Sequence, residues 1–307
     1  MKIAGILKPE YFYQPQLALR RFLPFRPSSN ADFVKNKLPW GLDIRTRPNE
    51  EHGQIIATIG VVDLAVTETI FRLADPGELA VDVGANIGYM TAVFAARLSS
   101  LPGGSVLAIE AHPEIFEELK YNVENWRKQL TNVNLEIQQI AISDERGKVT
   151  LGIPDSFATN RGLAAVLSRN DATGQPNLNC WQTVTVDSVS LDELLPAPKK
   201  IGVLKLDVEG YELSVLKGAK NLLQEQRIRD CVFEEHGEYP TDVTRFFEDM
   251  GYTVFRIQRQ FFGPRLLAPD SNIARTKWQP TSFLATQQPE RALSRFQARG
   301  WKALKRY

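Results

Sequence analysis

The chain has 307 residues, of which 43% are hydrophobic, and its formal net charge at pH 7 is +1. This length and apolar content support a large domain with a full core, and the balanced charge gives no global field that would attract nucleic acid. The chain has no run of about eighteen apolar residues, so we expect no membrane span. Residues 1–20 lack the apolar core of a signal peptide, and the two cysteines, Cys180 and Cys231, indicate neither a disulfide framework nor a zinc site. We therefore expect a cytoplasmic protein.

Residues 1–60 show no regular alternation of strands and helices. Leu17–Phe25 is apolar and basic, and prolines interrupt it. We interpret residues 1–60 as an N-terminal extension that could cap the substrate side of the domain that follows. That domain is predicted over residues 61–288, and it begins with a helix over Asp63–Leu73, where apolar residues recur at helical spacing.

Strands and helices alternate through the rest of this domain. The predicted strands are Leu79–Val83, Ser105–Ile109, Val133–Ile142, Gly202–Asp207, Asp230–Glu234, Tyr252–Ile257 and Ser282–Thr286. The predicted helices between them are Ile87–Leu98, Pro113–Lys128, Tyr211–Glu225 and Thr241–Met250. This order predicts an α/β fold with a seven-stranded, mostly parallel sheet and helices on both faces.

Two further segments stand outside this alternation. Residues 154–182 are polar and irregular, which is typical of a lid or substrate loop. Residues 289–307 carry six basic residues against one acidic residue, and we predict a basic C-terminal helix there. The apolar residues of this segment favour packing on the domain over docking on a membrane or a partner.

A short strand runs into a glycine-bearing turn and then a helix at Val81–Leu98. Such a junction brings backbone N–H groups to a ligand at the positive end of a helix. A dinucleotide fingerprint needs glycine where this chain has Asn86 and Tyr89, and Asp82 would repel a phosphate. Glu110 ends the next strand, where a carboxylate binds a ribose diol. Together these residues predict a pocket for a phosphate-free, cationic adenosine cofactor, and S-adenosylmethionine fits this description best.

Four segments of the chain resemble the FkbM-type methyltransferase family. They are Asp82–Tyr89, Glu110–Pro113, Leu191–Leu194 and Lys205–Glu212, and the likeness extends over roughly residues 60–286. The resemblance implies a Rossmann-like class I methyltransferase fold, S-adenosylmethionine as the cofactor, and methylation of hydroxyl groups on sugars and natural products. The cofactor-binding residues that we predict from the pocket and the resemblance are Asp82, Gly84, Asn86, Gly88, Tyr89, Glu110, Ala111, Ile142 and Asp207.

The end of the predicted strand Gly202–Asp207 supplies further candidates for the site. Lys205, Asp207 and Glu209 alternate along the chain, so they share one side of it. A lysine between acids in a buried strand must be paired to remain charged. These residues therefore form either a structural ion pair below the site or part of the catalytic group.

A sugar hydroxyl needs a general base, and His236 is the candidate with a suitable ordinary pKa. A rival interpretation, which we do not favour, assigns a divalent metal to this place, with the ligands Asp207, Glu209, Glu234 and His236. A third interpretation is that residues 234–238 form a solvated acidic loop.

The sequence thus predicts an S-adenosylmethionine-dependent O-methyltransferase. We expect the acceptor to be a hydroxyl of a sugar, a glycan or a glycosylated natural product. Two alternatives remain open at this point. The acceptor could instead be a polyketide or a nitrogen atom, or the chain could be an inactive cofactor-binding scaffold that docks on a partner through its basic ends.

Overall fold

A computed structural model describes residues 9–13, 32–166, 180–273 and 281–304. Part of the predicted lid, residues 167–179, and the predicted chain end, residues 305–307, lie outside the described residues. The described strands are β1 (Val34–Lys37), β2 (Asp43–Thr46), β3 (Leu79–Val83), β4 (Gly104–Ile109), β5 (Val133–Gln138), β6 (Ala141–Ile142), β7 (Gly147–Pro154), β8 (Ala165–Val166), β9 (Cys180–Val189), β10 (Ile201–Leu206), β11 (Ile228–Glu235), β12 (Thr253–Gln260), β13 (Gly263–Leu267) and β14 (Thr281–Thr286). The described α-helices are α1 (Pro9–Tyr13), α2 (Glu51–Ile59), α3 (Leu64–Leu73), α4 (Tyr89–Leu98), α5 (Pro113–Arg127), α6 (Leu191–Leu194), α7 (Glu212–Lys217), α8 (Lys220–Gln224), α9 (Asp242–Asp249) and α10 (Pro289–Gln297).

The main sheet has the strand order β13-β12-β14-β11-β10-β3-β4-β5. Strands β11, β10, β3, β4 and β5 pair in parallel, and β14 is antiparallel to both of its neighbours. The fold class predicted from the sequence is therefore confirmed. An eighth strand, β13, adds to the predicted seven at the β12 edge. Its Pro264 lacks an N–H group, which an edge strand tolerates.

Two predicted elements are divided in the structure. The strand predicted over Val133–Ile142 ends at Gln138, and β6 pairs with β9 in a second sheet of order β6-β9-β7-β8. The helix predicted over Tyr211–Glu225 is broken between α7 and α8. A Cβ atom at Gly218 in this break would lie 2.0 Å from the backbone oxygen of Ser143, so two chain segments approach each other closely at the break.

The described part of the N-terminal extension packs on the same core as the sheet. The indole Nε1 of Trp126 on α5 donates a hydrogen bond of 2.7 Å to the carbonyl oxygen of Asp43. Arg47 contacts Glu118 on α5 at 2.7 Å, and Ile44 is fully buried in the shared cluster. These contacts hold the segment around β2 against α5.

The C-terminal segment lies against α3. The sequence predicts a helix to residue 307, but the helix in the structure ends at Gln297. It ends there because Ala298 is extended and Gly300 adopts a positive φ of 92°. Buried Arg72 donates hydrogen bonds to the carbonyl oxygens of Ala298 and Gly300, and Trp301 is fully buried. The segment is thus anchored by buried polar contacts as well as by apolar packing.

Among the described residues, no single helix has the length and apolar composition to cross a membrane. Helices α2 and α3 meet that test only as a pair bent by 75°.

Candidate functional site

The carboxyl ends of β3, β4, β10 and β11 open into a cavity of about 670 Å³. This volume is in the range of cavities that hold small-molecule ligands. Of the predicted site residues, those that line the cavity are Gly84, Asn86, Tyr89, Glu110, Ala111, Ile142, Lys205, Asp207, Glu209 and His236. The structure therefore brings residues from five separate parts of the sequence to one place.

The turn after β3 is held close to the neighbouring strand end. Gly84 has a φ of 73°, and a Cβ atom there would lie 1.9 Å from the backbone oxygen of Asp207. Only glycine combines this backbone conformation with so close an approach. The N–H groups of Gly84 and Ala85 both donate to the carbonyl oxygen of Ile109, at 3.0 and 2.9 Å. The turn is thus fixed to both flanking strands at the cavity wall.

Glu110 links the turn to the end of β4. Its Oε2 accepts a hydrogen bond of 2.9 Å from the backbone N–H of Asn86, and its Oε1 accepts one of 2.8 Å from the N–H of His112. Burial raises the pKa of this carboxyl, while the two N–H donors oppose that shift. Each carboxylate oxygen keeps a further lone pair with which it could accept a bond from a ligand hydroxyl.

Lys205 lies between two carboxylates at the end of β10. Its Nζ is 3.2 Å from Asp207 Oδ2, 3.5 Å from Asp82 Oδ1 and 2.9 Å from the carbonyl oxygen of Gly84. Burial by itself lowers the pKa of Lys205, but Asp207 and Asp82 outweigh it, so the pKa is raised and the side chain stays charged. This charged group connects the three chain segments below the cavity.

Two predicted cofactor residues, Asp82 and Gly88, are not among those that line the cavity. Asp82 is fully buried, and its Oδ2 accepts a hydrogen bond of 2.6 Å from Thr91. A Cβ atom at Gly88 would lie 2.7 Å from the Leu119 side chain and 3.0 Å from Trp126. The structure places Asp82 below Lys205 and Gly88 against α5.

Carboxylates concentrate on the β10 and β11 side of the cavity. Burial, followed by the charge of Asp207, raises the pKa of Glu209 to about 7 and that of Glu234 to about 8. Glu209 also has a positive φ of 51°, which is uncommon for a residue with a side chain. A positively charged ligand here would relieve the repulsion between these acids.

The raised pKa of Glu234 predicts a pH-dependent stability. The folded protein binds this proton more tightly than the unfolded chain, so stability falls as the pH rises from 4.5 to about 8. We expect Glu234→Gln to be more stable than the wild type by about 1–3 kcal/mol at pH 8.5, a range that allows for solvent screening of the partly exposed carboxylate. At pH 4 the variant and the wild type should be equally stable. Urea unfolding of the ligand-free protein at the two pH values measures this difference. A gain of the same size at both pH values would show that the ionised carboxylate is not the cause.

The three histidines have different surroundings. His236 is exposed and lies close enough to Glu209 for the two charges to interact. His112 is buried and packs on Phe157, with ring centroids 4.7 Å apart. His52, on α2, is partly buried and lines the cavity. Sequence reasoning assigned no role to His52, because it belongs to the segment without a recognisable pattern.

Other cavity residues were also missed from the sequence. Asp63 accepts hydrogen bonds of 3.1 Å from the N–H groups of Ala65 and Val66, and an aspartate before an apolar helix is a signal that predicts such a cap. Arg259 on β12 pairs with Glu10 on α1 at 2.8 Å. No local pattern connects two residues so far apart in the chain.

The charges in the cavity suit a cationic nucleoside without phosphate. Three lysine and arginine side chains line it in the part of the chain that the structure describes, Arg161, Lys205 and Arg259, and all three pair with carboxylates. Glu209 and Glu234, by contrast, form no ion pair with a described lysine, arginine or histidine within 4.0 Å. The donor set therefore fits a cofactor such as S-adenosylmethionine, which carries positive charges and no phosphate.

A metal site finds no support in the described ranges. They contain no group of three or more histidine, cysteine, aspartate or glutamate side chains that could hold an ion.

Comparisons with known proteins agree with this geometry. The model of the Methyltransferase FkbM domain matches residues 82–254, which is more than half of the chain. Hexuronic acid methyltransferase AglP from Haloferax volcanii is 28% identical over 194 residues, which cover 61% of this chain and 70% of that protein. The 31-O-demethyl-FK506 methyltransferase FkbM from Streptomyces tacrolimicus is 30% identical over 209 residues, covering 61% of this chain and 77% of that protein.

A crystal structure of Methyltransferase FkbM from Methylobacillus flagellatus KT is also similar. It is 15% identical, with a TM-score of 0.41, and the match covers 68% of this chain and 43% of that chain. The resemblance inferred from four sequence segments is confirmed by the family match. The chain belongs to the Methyltransferase FkbM domain family of S-adenosylmethionine-dependent methyltransferases.

Proposed function

We propose that the protein transfers the methyl group of S-adenosylmethionine to a hydroxyl group of a sugar, a glycan or a glycosylated natural product. The observation that carries the proposal is the cavity lined by Glu110 at the end of β4 and by Lys205 and Asp207 at the end of β10, with β3 between these two strands. The relative from Haloferax volcanii, named as a hexuronic acid methyltransferase, supports a sugar acceptor. The relative from Streptomyces tacrolimicus keeps natural-product hydroxyls within the proposal.

Different residues of the cavity would bind the cofactor and align the acceptor. Glu110 would bind the ribose hydroxyls through charge-assisted hydrogen bonds. The turn at Gly84 and Asn86 would hold the methionine part, and Tyr89, Ala111 and Ile142 would border the nucleoside. The cofactor supplies an activated methyl group, so the protein mainly has to align the acceptor oxygen with it. Glu209 and His236 also line the cavity, and we expect them to contact the acceptor.

The charge of the cavity favours neutral acceptors over anionic ones. Glu209 and Glu234 would repel an acceptor carboxylate, whereas a protonated Glu209 or Glu234 could donate a hydrogen bond to a sugar hydroxyl. A hexuronic acid would therefore need a binding mode that turns its carboxylate away from the β10 and β11 ends.

The function is tested in two steps. Calorimetry with S-adenosylmethionine and S-adenosylhomocysteine measures cofactor binding, and NADH serves as the contrasting ligand. Turnover is then measured on a panel of neutral sugars, hexuronic acids, amines and polyketide alcohols. Methylation of a sugar hydroxyl is the expected result. Cofactor binding without turnover of any acceptor would favour the scaffold alternative, and tight NADH binding without a response to S-adenosylhomocysteine would overturn the choice of cofactor.

A substitution tests the role of Glu110. We expect Glu110→Ala to weaken S-adenosylhomocysteine binding by about 1–3 kcal/mol, the scale of a lost hydrogen bond to a charged group. The carboxylate also holds the N–H groups of Asn86 and His112, so a loss of affinity alone could reflect a disturbed turn.

The 2′-deoxy analogue of S-adenosylhomocysteine separates the two causes. If Glu110 binds the ribose hydroxyls, the affinities of the wild type and Glu110→Ala should differ less for this analogue than for the parent compound. An equal loss of affinity for both ligands in Glu110→Ala would mean that Glu110 has a structural role only.

A further inference from the structure

We propose that His52, on α2, is the base that takes the proton from the acceptor hydroxyl. This inference rests on the proposed function and adds a catalytic residue from outside the region that matches the family model. His52 lines the cavity, although α2 is far in sequence from the strands that form the cavity floor. The sequence-based hypothesis gave this role to His236.

The position of His52 relative to the cofactor turn is the first support. A Cβ atom at Gly162 would lie 3.7 Å from His52 Cε1 and 3.9 Å from Asn86 Nδ2, so the two side chains flank the same point of the chain. Asn86 belongs to the turn that we expect to hold the methionine part of the cofactor. His52 is therefore near the part of the cavity where the methyl group would be transferred.

The start of α2 is rigidly held, which a base requires. The N–H of Glu51 donates a hydrogen bond of 2.9 Å to the carbonyl oxygen of Thr159, and Asn160 Nδ2 donates one of 2.8 Å to the Glu51 carboxylate. A Cβ atom at Gly53 would lie 2.0 Å from the backbone oxygen of Arg47, so the helix packs closely there. Contacts on both sides of His52 thus fix its backbone.

The charge state of His52 suits proton abstraction. Burial is the largest effect and lowers the pKa of His52, and the charge of Lys205 lowers it further. The carboxylates of Asp207 and Glu51 oppose this shift, but the net result is a lowered pKa. The imidazole is then neutral at pH 7, and one ring nitrogen has a free lone pair. Hydrogen bonds from the described residues do not occupy its ring nitrogens.

Three other side chains suit the role less well, namely His112, His236 and Glu234. The ring nitrogens of His112 are enclosed, since both are buried without a partner in the described structure. His236 is exposed at the rim, where an imidazole is less protected from bulk water. Glu234, with a pKa of about 8, is mostly protonated at pH 7 and so has no free carboxylate to act as a base.

The proposed step balances in atoms and charge. The acceptor oxygen forms a bond to the methyl carbon as the carbon–sulfur bond breaks, and the electron pair of that bond stays on sulfur in S-adenosylhomocysteine. The hydroxyl proton moves to the His52 imidazole, which becomes an imidazolium next to Asp207 and Glu51. Both carboxylates stabilise this charge, and the proton then leaves to water.

The test compares His52→Gln with His236→Gln. We expect His52→Gln to lower kcat by about 10²–10⁴-fold, the usual contribution of general base catalysis, and to bind S-adenosylhomocysteine as the wild type does in calorimetry. The acid limb of the kcat/KM pH profile should disappear in this variant. We expect His236→Gln mainly to raise KM for the acceptor, because this variant loses a contact with the acceptor at the rim of the cavity.

A spectroscopic titration of the wild type gives a readout that does not depend on turnover. In the ligand-free protein, the His52 ring resonances should titrate below the ordinary value of 6.5. Asp207→Asn should lower that midpoint further, because the carboxylate that favours the imidazolium is removed. This measurement also covers the case in which His52→Gln fails to fold.

Three results would overturn the proposal. They are a wild-type kcat in His52→Gln, a loss of kcat confined to His236→Gln, and a His52 midpoint at or above 6.5. Any of these, with an active wild type, would leave the proposed function intact. If the wild type methylates no hydroxyl acceptor, the proposed function fails, and the role of His52 fails with it.

Discussion

Lys205→Met should destabilise the protein by about 3–5 kcal/mol, because it leaves a buried carboxylate without its counter-charge. Asp82 is fully buried, and among the described residues its Oδ1 has only the Lys205 ammonium group, 3.5 Å away, as a charged partner. The substitution also removes the 2.9 Å hydrogen bond to the carbonyl oxygen of Gly84. Urea unfolding of the ligand-free protein measures the loss.

The double variant Lys205→Met/Asp82→Asn serves as the matched control. A neutral amide at position 82 could still accept the hydrogen bond that Thr91 donates to Asp82 Oδ2. We expect the second substitution to restore part of the stability, since the uncompensated charge is gone. A single-variant loss below about 1 kcal/mol, the scale of an exposed ion pair, would contradict the account of a buried charge network.

Gly84→Ala should cost roughly 2–5 kcal/mol, the sum of left-handed backbone strain and overpacking. The added methyl group would lie 1.9 Å from the backbone oxygen of Asp207, so β3 and β10 would have to separate at the cavity. Because both strand ends carry residues of the proposed site, cofactor affinity should fall together with stability. Thermal unfolding and calorimetry with S-adenosylhomocysteine measure the two effects.

Gly103→Ala separates the strain from the clash. Gly103 has a φ of 97°, and a Cβ atom there meets nothing within 4 Å. We expect this control to lose only about 1–2 kcal/mol, the cost of the left-handed conformation, and to bind the cofactor normally. Equal losses in the two variants would mean that the chain near Gly84 relaxes without disturbing the site.

Much of the fold follows from patterns that are local in the sequence. The apolar strands, the helices between them and the glycine turns all predict an α/β sheet, because each pattern spans fewer than about twenty residues. The two elements that were predicted as continuous but are divided, at Gln138 and Gly218, break where a distant segment approaches. At Gly218 that segment is the backbone of Ser143, and no sequence pattern reports such an approach.

The site was predictable in part for the same reason. Glu110 and Asp207 end strands of one parallel sheet, and the carboxyl ends of such strands must lie at the same edge. Gly84 and Gly88 look equivalent in the sequence, yet one faces Asp207 and the other faces Leu119. Which side of a turn each residue occupies depends on the helices packed against it.

The sequence by itself determined the fold class, the family and the carboxylates at the strand ends, because these depend on residue type and on spacing along one stretch of chain. The tertiary structure alone decided that Asp82 lies below the cavity, that Arg259 pairs with Glu10, and that His52 reaches the cavity from α2. The reason is physical: these contacts join elements far apart in the chain, and their geometry is set by how whole helices and strands pack into one core.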